Sequence, residues 1–272
     1  TISEVAAQFK KAGLVRSEFY FKLLAHFFGS STGVIAGKYY FNEPLSIFSV
    51  VNRVLTGAYE IKTQKVIIPE GFTVKDIASR ILSIFPDFDS ELFLRLAKEK
   101  EGYLFPDTYS WLPDVSPTQA LSDMQKNFHE KIAPLAQTLA AFGKSEKEVI
   151  IMASLIEKEA RQTDTRRIVA GILWKRLALG MPLQVDAVFP YINGKNTFQL
   201  TVEDLKVDHP YNTYTRKGLP PGPISNPGLD SILAAITPTA SPYLYYLSDK
   251  DGNMHYARTF QAHVANKEKY LR

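Results

Sequence analysis

A proline-rich run constrains the second half of the chain more strongly than any other feature of the sequence. The run Gly218-Leu219-Pro220-Pro221-Gly222-Pro223 lies within residues 211–226, which show no helical or strand periodicity. Proline fixes the backbone φ angle and lacks the N–H group that helix interiors and central strands require. The sequence therefore predicts an ordered but non-repetitive backbone, and we expect it to form one wall of a cleft together with residues 211–214.

Capping signals predict that much of the remaining second half is helical. Ser145 followed by Glu148 is a capping box, and apolar residues at helical spacing come after it. Ser116 followed by Pro117 is a second helix start. The predicted elements are a helix or helix pair over residues 117–142, helices over 146–161 and 165–179, a hairpin of strands 243–247 and 255–258, and a closing helix over 260–271.

The first hundred residues contain a weak internal repeat. A segment that starts at Thr1 aligns with a segment that starts at Thr73, and each begins with a capped, acidic first turn of a short helix. A turn and a second helix follow in both copies, with Ser17 and Ser90 as the expected caps. Each copy therefore predicts a pair of short helices.

Two β-rich runs, residues 38–41 and 65–68, predict strands near these helix pairs. The aromatic side chains of the first run suggest contact with a glycan, although a small packing module explains the pattern equally well. The predicted fold class is α+β. Its parts are an N-terminal repeat region over residues 1–95, with copies of about 1–58 and 59–95, and a mixed helix and short-strand domain over residues 96–272.

Composition excludes several classes of protein. Hydrophobic residues make up 45% and charged residues 22% of the chain, which indicates a folded globular protein. The net charge of +4 is spread along the chain without a basic arm, so no nucleic-acid partner is expected. There is no cysteine, and the five histidines lack the spacing of metal ligands, so no metal is expected either.

No apolar run reaches the length of about 18 residues that a membrane-spanning helix needs. The chain starts at Thr1 rather than Met, so a preceding leader or membrane anchor stays open.

One helix carries an acidic residue on its apolar side. Within residues 153–160, Glu159 extends the apolar stripe, whereas Glu157 is rotated about 200° away from it. A glutamate at the edge of an apolar stripe loses solvation, so its pKa rises and it can act as a general acid. The alternative is a glutamate that ends the helix and pairs with Arg161 or Arg166.

Further polar residues lie in turn-rich segments, where binding residues often collect. Gln184 and Asp186 follow the predicted end of a helix at Gly180, and residues 211–214 precede the proline-rich run. A turn or cap role for Asp186 and strand packing for residues 211–214 remain equally open. The sequence has no glycine-rich phosphate loop, zinc-protease helix or serine-hydrolase elbow.

Four motifs together resemble the YceG-like endolytic murein transglycosylases. They are Ala153-Ser154-Leu155-Ile156-Glu157-Lys158-Glu159, Met181-Pro182-Leu183-Gln184-Val185-Asp186, Tyr211-Asn212-Thr213-Tyr214 and residues 218–227. The resemblance covers essentially the whole chain and implies a LysM-like N-terminal region followed by a catalytic domain. It implies cleavage of the MurNAc–GlcNAc β-1,4 bond inside peptidoglycan glycan strands, with 1,6-anhydro-MurNAc ends as products.

The resemblance also implies a place in the cell. Members of the family lie at the outer face of the bacterial cytoplasmic membrane, held by one N-terminal helix that is absent from this sequence. Cell-wall synthases are the further partners that it suggests, and their role would be to build the strands that the enzyme trims.

The resemblance places the catalytic carboxyl on Glu159, with Glu157 as the fallback. This sequence departs from the family pattern at two positions, with Val185 in place of the usual Thr and Ala187 in place of the usual Pro. The residues carried over as substrate-binding are Gln184, Asp186, Tyr211, Asn212, Thr213 and Tyr214.

A single carboxyl suffices for this chemistry because the nucleophile is the 6-hydroxyl of the same MurNAc residue. Glu159 would protonate the leaving glycosidic oxygen and then accept the proton of that hydroxyl, without a metal or cofactor. Two alternatives stay open. One is a peptidoglycan-binding scaffold without activity, and the other is a two-carboxylate muramidase that pairs Glu159 with Asp186.

Overall fold

The computed structural model describes residues 1–29, 34–35, 39, 41, 45–57, 63–196 and 199–271. The chain divides into two compact units, Thr1–Gln64 and Lys65–Arg272. None of the helices in these described ranges has the length and hydropathy that crossing a membrane requires.

The first unit contains three helices, α1 (Ile2–Lys11), α2 (Glu18–Phe28) and α3 (Ile47–Thr56). Thr1 caps α1 as predicted, and together with Glu4 it forms a capping box. A small core lies between the helices, and Tyr39 and Phe41 pack against it instead of standing free for a glycan. Lys38 and Tyr40, which belong to the same predicted strand, lie outside the described residues. The outer side of α2 exposes Phe19, Tyr20, Leu23, Phe27 and Phe28.

The second unit begins with the elements of the other predicted repeat copy. These are β1 (Gln64–Ile67), α4 (Val74–Ile84) and α5 (Ser90–Leu96), followed by β2 (Thr108–Trp111), which pairs with β1. Thr73 and Asp76 form the capping box of α4. The cap of α5 is Asp89 rather than Ser90, because its carboxylate accepts a hydrogen bond from the N–H of Leu92.

The apolar cluster around β1, α4 and β2 includes residues on both sides of the predicted boundary at 95/96, from Val66 to Met124. The compact units of the structure divide at 64/65, and the assignment of residues 1–95 and 96–272 to two domains stays a prediction. Strand β2 was not expected from the sequence, because its four residues gain their order from pairing with a strand about forty residues earlier.

The remaining elements include a deeply buried helix, α8. From Val149 to Ile156 every residue of α8 is buried, since α9 and α11 pack against it. The capping box of Ser145 and Glu148 starts it, as predicted. The elements are α6 (Pro117–Ile132), α7 (Ala136–Phe142), α8 (Glu146–Glu159), α9 (Thr163–Ala178), α10 (Phe189–Asn193), α11 (Leu229–Ile236), β3 (Tyr245–Ser248), β4 (Met254–Ala257) and α12 (Phe260–Tyr270).

The proline-rich segment has no helix or strand, as predicted, and it is held by buried polar contacts. The hydroxyl of Ser154 in α8 accepts a hydrogen bond of 3.1 Å from the N–H of Ile224. Pro220 and Pro221 lie beside Lys147 near the start of α8. The helix rises about 1.5 Å per residue, so this part of the segment is roughly 18 Å from the end of α8. Gly222 of the same segment lies against the hydroxyl of Tyr211, and the cleft wall expected from the sequence stays a prediction.

Helices and a few short strands make up the described fold, which is α+β in its coarse class. Both strand pairs are small: β1 pairs with β2, and β3 pairs antiparallel with β4. The helices carry the core, and the strands and loops carry the polar groups that meet at the end of α8.

Candidate active site

Glu159 ends α8, and three distant segments of the second unit contribute groups to its surroundings. The hydroxyl of Tyr246, from strand β3, donates a hydrogen bond of 2.9 Å to Oε2 of Glu159. The pKa of Glu159 is raised to about 7, mainly because the carboxyl is buried and also because the Asp186 carboxylate is near. The hydrogen bonds from Tyr246 and from the backbone of Ala187 act in the opposite direction. A carboxyl with this pKa is protonated in half of the molecules near neutral pH.

Asp186 is held by a second tyrosine. Tyr214 lies in residues 211–226, which form no helix or strand, and its hydroxyl donates a short hydrogen bond to Oδ1 of Asp186. Burial is the main cause that keeps the pKa values of Tyr214 and Tyr246 well above their usual range, and the neighbouring carboxylates add to it. Both phenols therefore stay protonated and serve as fixed donors to a pair of carboxyl groups.

Asn212 and Thr213 lie in the interior of the protein rather than at the surface of the candidate site. Both are buried, and Nδ2 of Asn212 donates to the backbone carbonyls of Leu205 and Val207 at 3.1 and 2.8 Å. The hydroxyl of Thr213 accepts a hydrogen bond of 2.9 Å from the N–H of Val185. Their side chains are thus occupied by the backbone and fix the segments that carry Gln184, Asp186 and Tyr214.

Tyr211 lies beside a different aromatic residue. Its ring centroid is 5.0 Å from that of Tyr191 in α10. A Cβ at Gly222 would lie 2.8 Å from the Tyr211 hydroxyl, so a larger residue there would have to displace the Tyr211 side chain. The sequence-predicted residues therefore fall into two groups, one around Glu159 and one around Tyr211.

Glu157 has a different environment, and the structure corrects one expectation about it. Its side chain is only 5% exposed and does not point away from the core. Arg166 from α9 donates to Oε1 at 2.8 Å, and the N–H of Gly228 donates to Oε2 at 2.9 Å. The predicted pairing of a helix-ending glutamate with Arg166 thus belongs to Glu157. The expectation that Glu157 faces away from the core was wrong because Arg166 and the backbone of Gly228 cover that side of α8.

Two neighbours of the site were missed by the sequence reasoning. Tyr246 is 87 residues from Glu159, and no spacing pattern connects them. Arg176, in α9, donates to the side chain of Gln184. The only available signal was the aromatic run of β3. Within the described residues, no group of three or more His, Asp or Glu side chains could hold a metal ion.

Comparisons with known proteins give a consistent result. The model of the YceG-like family matches residues 1–269. An endolytic murein transglycosylase of Bacillus subtilis is 31% identical over 301 residues, which cover all of this chain and 82% of that protein. An endolytic murein transglycosylase of Streptococcus pneumoniae is 28% identical over 312 residues. That alignment covers 99% of this chain but only 56% of the relative.

The fold is also similar to a solved structure. A crystal structure of a YceG-like protein from Listeria monocytogenes matches with a TM-score of 0.67 and 29% sequence identity. The match covers 97% of this chain and 95% of that one.

Proposed function

We propose, from the premise that the chain belongs to the YceG-like family, that Glu159 is the acid–base group of an endolytic murein transglycosylase. The reaction is cleavage of the MurNAc–GlcNAc β-1,4 bond inside a peptidoglycan strand, and it leaves a 1,6-anhydro-MurNAc end. The observation that carries the assignment is the partly buried carboxyl of Glu159 with its pKa of about 7, in contact with Tyr246 and near Asp186.

Glu159 acts twice in this reaction. As the carboxylic acid, it donates its proton to the glycosidic oxygen while the bond from that oxygen to C1 of MurNAc breaks. As the carboxylate, it then accepts the proton of the MurNAc 6-hydroxyl, whose oxygen forms the new bond to C1. The carboxylic acid is regenerated, and no water is consumed. The tethered 6-hydroxyl supplies the high effective concentration of an intramolecular nucleophile.

The neighbours of Glu159 support both steps. Tyr246 holds the carboxyl in one orientation through its hydrogen bond to Oε2. Asp186 places a negative charge near the site, which favours the protonated form of Glu159 and stabilises positive charge that develops at C1. Tyr214 keeps Asp186 in place.

Analysis of the reaction products tests this proposal. Glycan strands freed of peptides are digested with the protein, and the new ends are identified by mass spectrometry. Anhydro ends support the transglycosylase. Ordinary reducing ends would indicate a two-carboxylate muramidase with Asp186 as the second group. No new ends at all would indicate a binding protein.

We also propose a division of labour along the chain. A LysM-like region over residues 1–95 assists glycan binding, and residues 96–272 carry the catalysis. The exposed aromatic side of α2 supports a binding role, because rigid aromatic faces give large contact areas at low entropic cost. Replacing Phe19 and Phe27 together with Ser should weaken strand binding and leave kcat unchanged. Unaltered affinity would contradict this role.

The cellular setting follows from the same family relationship as a proposal. The protein acts in the bacterial cell envelope, at the outer face of the cytoplasmic membrane, where an N-terminal helix before this sequence would anchor it. Cell-wall synthases are the expected partners there.

A further inference from the structure

Arg176 is an unusual residue for the interior of this protein. It is only 4% exposed, and no ion pair joins it to a carboxylate in the part of the chain that the structure describes. Its Nε is buried without a hydrogen-bond partner. A buried charge without a counter-charge is costly, and such violations of folding rules concentrate at functional sites. The burial of Arg176 therefore needs a functional explanation.

The described contacts of Arg176 lead to the wall of the candidate active site. Its Nη2 donates a hydrogen bond of 2.5 Å to Oε1 of Gln184, and its guanidinium lies 5.5 Å from the ring centroid of Tyr245. Gln184 is two residues before Asp186, and Tyr245 precedes Tyr246. Arg176 thus lies behind two segments that supply neighbours of Glu159.

The contact with Arg176 determines which way the Gln184 amide is turned. A guanidinium group has hydrogen-bond donors and no acceptor, so the amide atom that faces it must be the oxygen. The NH₂ group of Gln184 therefore points away from Arg176. Gln184 is exposed, so these N–H donors are available to a ligand.

The backbone of Gln184 is fixed as well. Gln184 has φ of +51°, the only positive value among the described residues other than glycine. Its N–H donates to the carbonyl of Thr213 at 3.0 Å, and the following N–H, of Val185, donates to the Thr213 hydroxyl. A left-handed conformation is unfavourable for glutamine and persists only where the surroundings enforce it. Backbone and side chain are thus both locked.

We propose that Arg176 is a positioning residue that locks the Gln184 amide with its N–H donors toward the glycan, so that the site selects the acetamido carbonyl of N-acetylated sugars. A sugar hydroxyl can donate or accept, so it could bind either the oxygen or the NH₂ group of the Gln184 amide. Fixing the orientation of that amide would then give no selectivity. A carbonyl oxygen only accepts, and it needs the N–H face. This inference rests on the proposed function, because it requires a murein strand in the same cleft.

The test compares N-acetylated glycan strands with the same strands after chemical de-N-acetylation, and with re-acetylated strands as the control for damage. Affinities are measured in the Glu159→Gln background, so that no strand is cut. We expect that chain to prefer N-acetylated strands about tenfold, the value of one hydrogen bond of about 1.4 kcal/mol. Arg176→Met and Gln184→Met should each abolish the preference.

Two further variants separate positioning from general damage. Gln184→Glu keeps an oxygen for Arg176 but lacks the N–H donors, so it should also lose the preference. Lys175→Met, which removes the adjacent cation of α9, should keep it. Combining Arg176→Met with Gln184→Met should change the preference no further than either alone, because one residue acts through the other.

Several results would overturn the inference. These are equal affinity of the parent chain for both strands, a full preference in folded Arg176→Met, or additive effects in the double variant. If Arg176→Met does not fold, the exposed Gln184 variants decide. Absence of anhydro ends with the unmodified protein would instead contradict the proposed function, whereas the affinity ratio is read without catalysis.

Discussion

Two partly buried glutamates of the second unit have nearly the same pKa and very different surroundings. Burial is the main cause that raises the pKa to about 7 in both Glu159 and Glu101. The Glu101 carboxylate accepts hydrogen bonds from the N–H of Val74, at 3.1 and 3.2 Å, and from Nδ2 of Asn226 at 2.8 Å. Glu159 has a tyrosine hydroxyl and a second carboxylate nearby instead.

The difference shows that a raised pKa alone does not identify a catalytic acid. Asn226, which is fully buried, joins Glu101 to the carbonyl of Phe72 and to the N–H groups of Gly102 and Leu104. Glu101 thus belongs to a network that connects loops. Glu159 instead contacts Tyr246 and lies near Asp186, and all three residues are partly exposed. The partners of a carboxyl, more than its pKa, indicate whether it holds the fold or moves a proton.

The largest expected effect comes from removing the proton that Glu159 is proposed to transfer. Glu159→Gln keeps the shape of the side chain, so folding should be intact, and formation of anhydro ends should fall by a factor on the order of 10² or more. Glu101→Gln should leave kcat within about threefold. Glu157→Gln is the matched control on the same helix. If Glu157→Gln abolishes anhydro ends while Glu159→Gln cleaves normally, the catalytic role moves to Glu157.

The second effect concerns stability on the Glu101 side of the comparison. Asn226→Ala removes four side-chain hydrogen bonds of a buried residue and leaves donors and acceptors unpaired. We expect the free energy of unfolding to fall by about 2 kcal/mol, measured by urea denaturation. Activity of the remaining folded protein should stay near normal. An unchanged unfolding midpoint would show that the network does not hold these loops.

The third effect is a pH dependence. Both glutamates should make the stability depend on pH, but only Glu159 should make the activity depend on it. The first step needs protonated Glu159, so kcat/KM should fall about tenfold between pH 6 and pH 8. Glu101→Gln should leave that profile in place. The carboxyl groups of Glu159 and Glu101 have higher pKa values in the folded protein than in the unfolded chain. The free energy of unfolding should therefore decrease as the pH rises from about 4.5 to about 7. A flat activity profile over this range would contradict the assignment of Glu159.

A smaller effect follows from Ala187, which stands where the family pattern has proline. Its backbone hydrogen bond lowers the pKa of Glu159, and proline has no N–H to make it. Ala187→Pro should therefore move the fall of kcat/KM to higher pH by a few tenths of a unit, a typical effect of one weak hydrogen bond. Ala187→Gly, which keeps the N–H, is the control. A shift to lower pH would be inconsistent with this contact.

The smallest effect is expected far from both glutamates. Pro220 and Pro221 lie near the start of α8, at the end opposite Glu159. Replacing both with Ala should leave kcat and KM within about twofold, because only local backbone freedom changes. Steady-state kinetics at a temperature well below the unfolding midpoint measure this. A large loss of kcat would place this part of the segment in contact with substrate after all.

The sequence predicted the local features of the site and missed the long-range ones. Capping signals at Ser145 and Glu148 located α8, and the apolar stripe drew attention to Glu159. The catalytic role of Glu159 stays a prediction. Contacts with Tyr246 and Arg176 depend on how loops fold back onto α8, and no periodicity encodes such distances. The sequence suggested an ion pair with Arg166 for Glu159, but the structure has it at Glu157. The apolar pattern of one helix does not show what packs against its other sides.

The position of Tyr246 in the last hairpin has a consequence for biosynthesis. The phenol that orients Glu159 lies 87 residues further along the chain, so the ribosome completes it long after α8 has emerged. A nascent chain therefore carries the carboxyl without its partner until Tyr246 has been synthesised. A polypeptide that stops before β3 should therefore lack the hydroxyl that holds the Glu159 carboxyl in one orientation, and this carboxyl is complete only when the hairpin of β3 and β4 has formed.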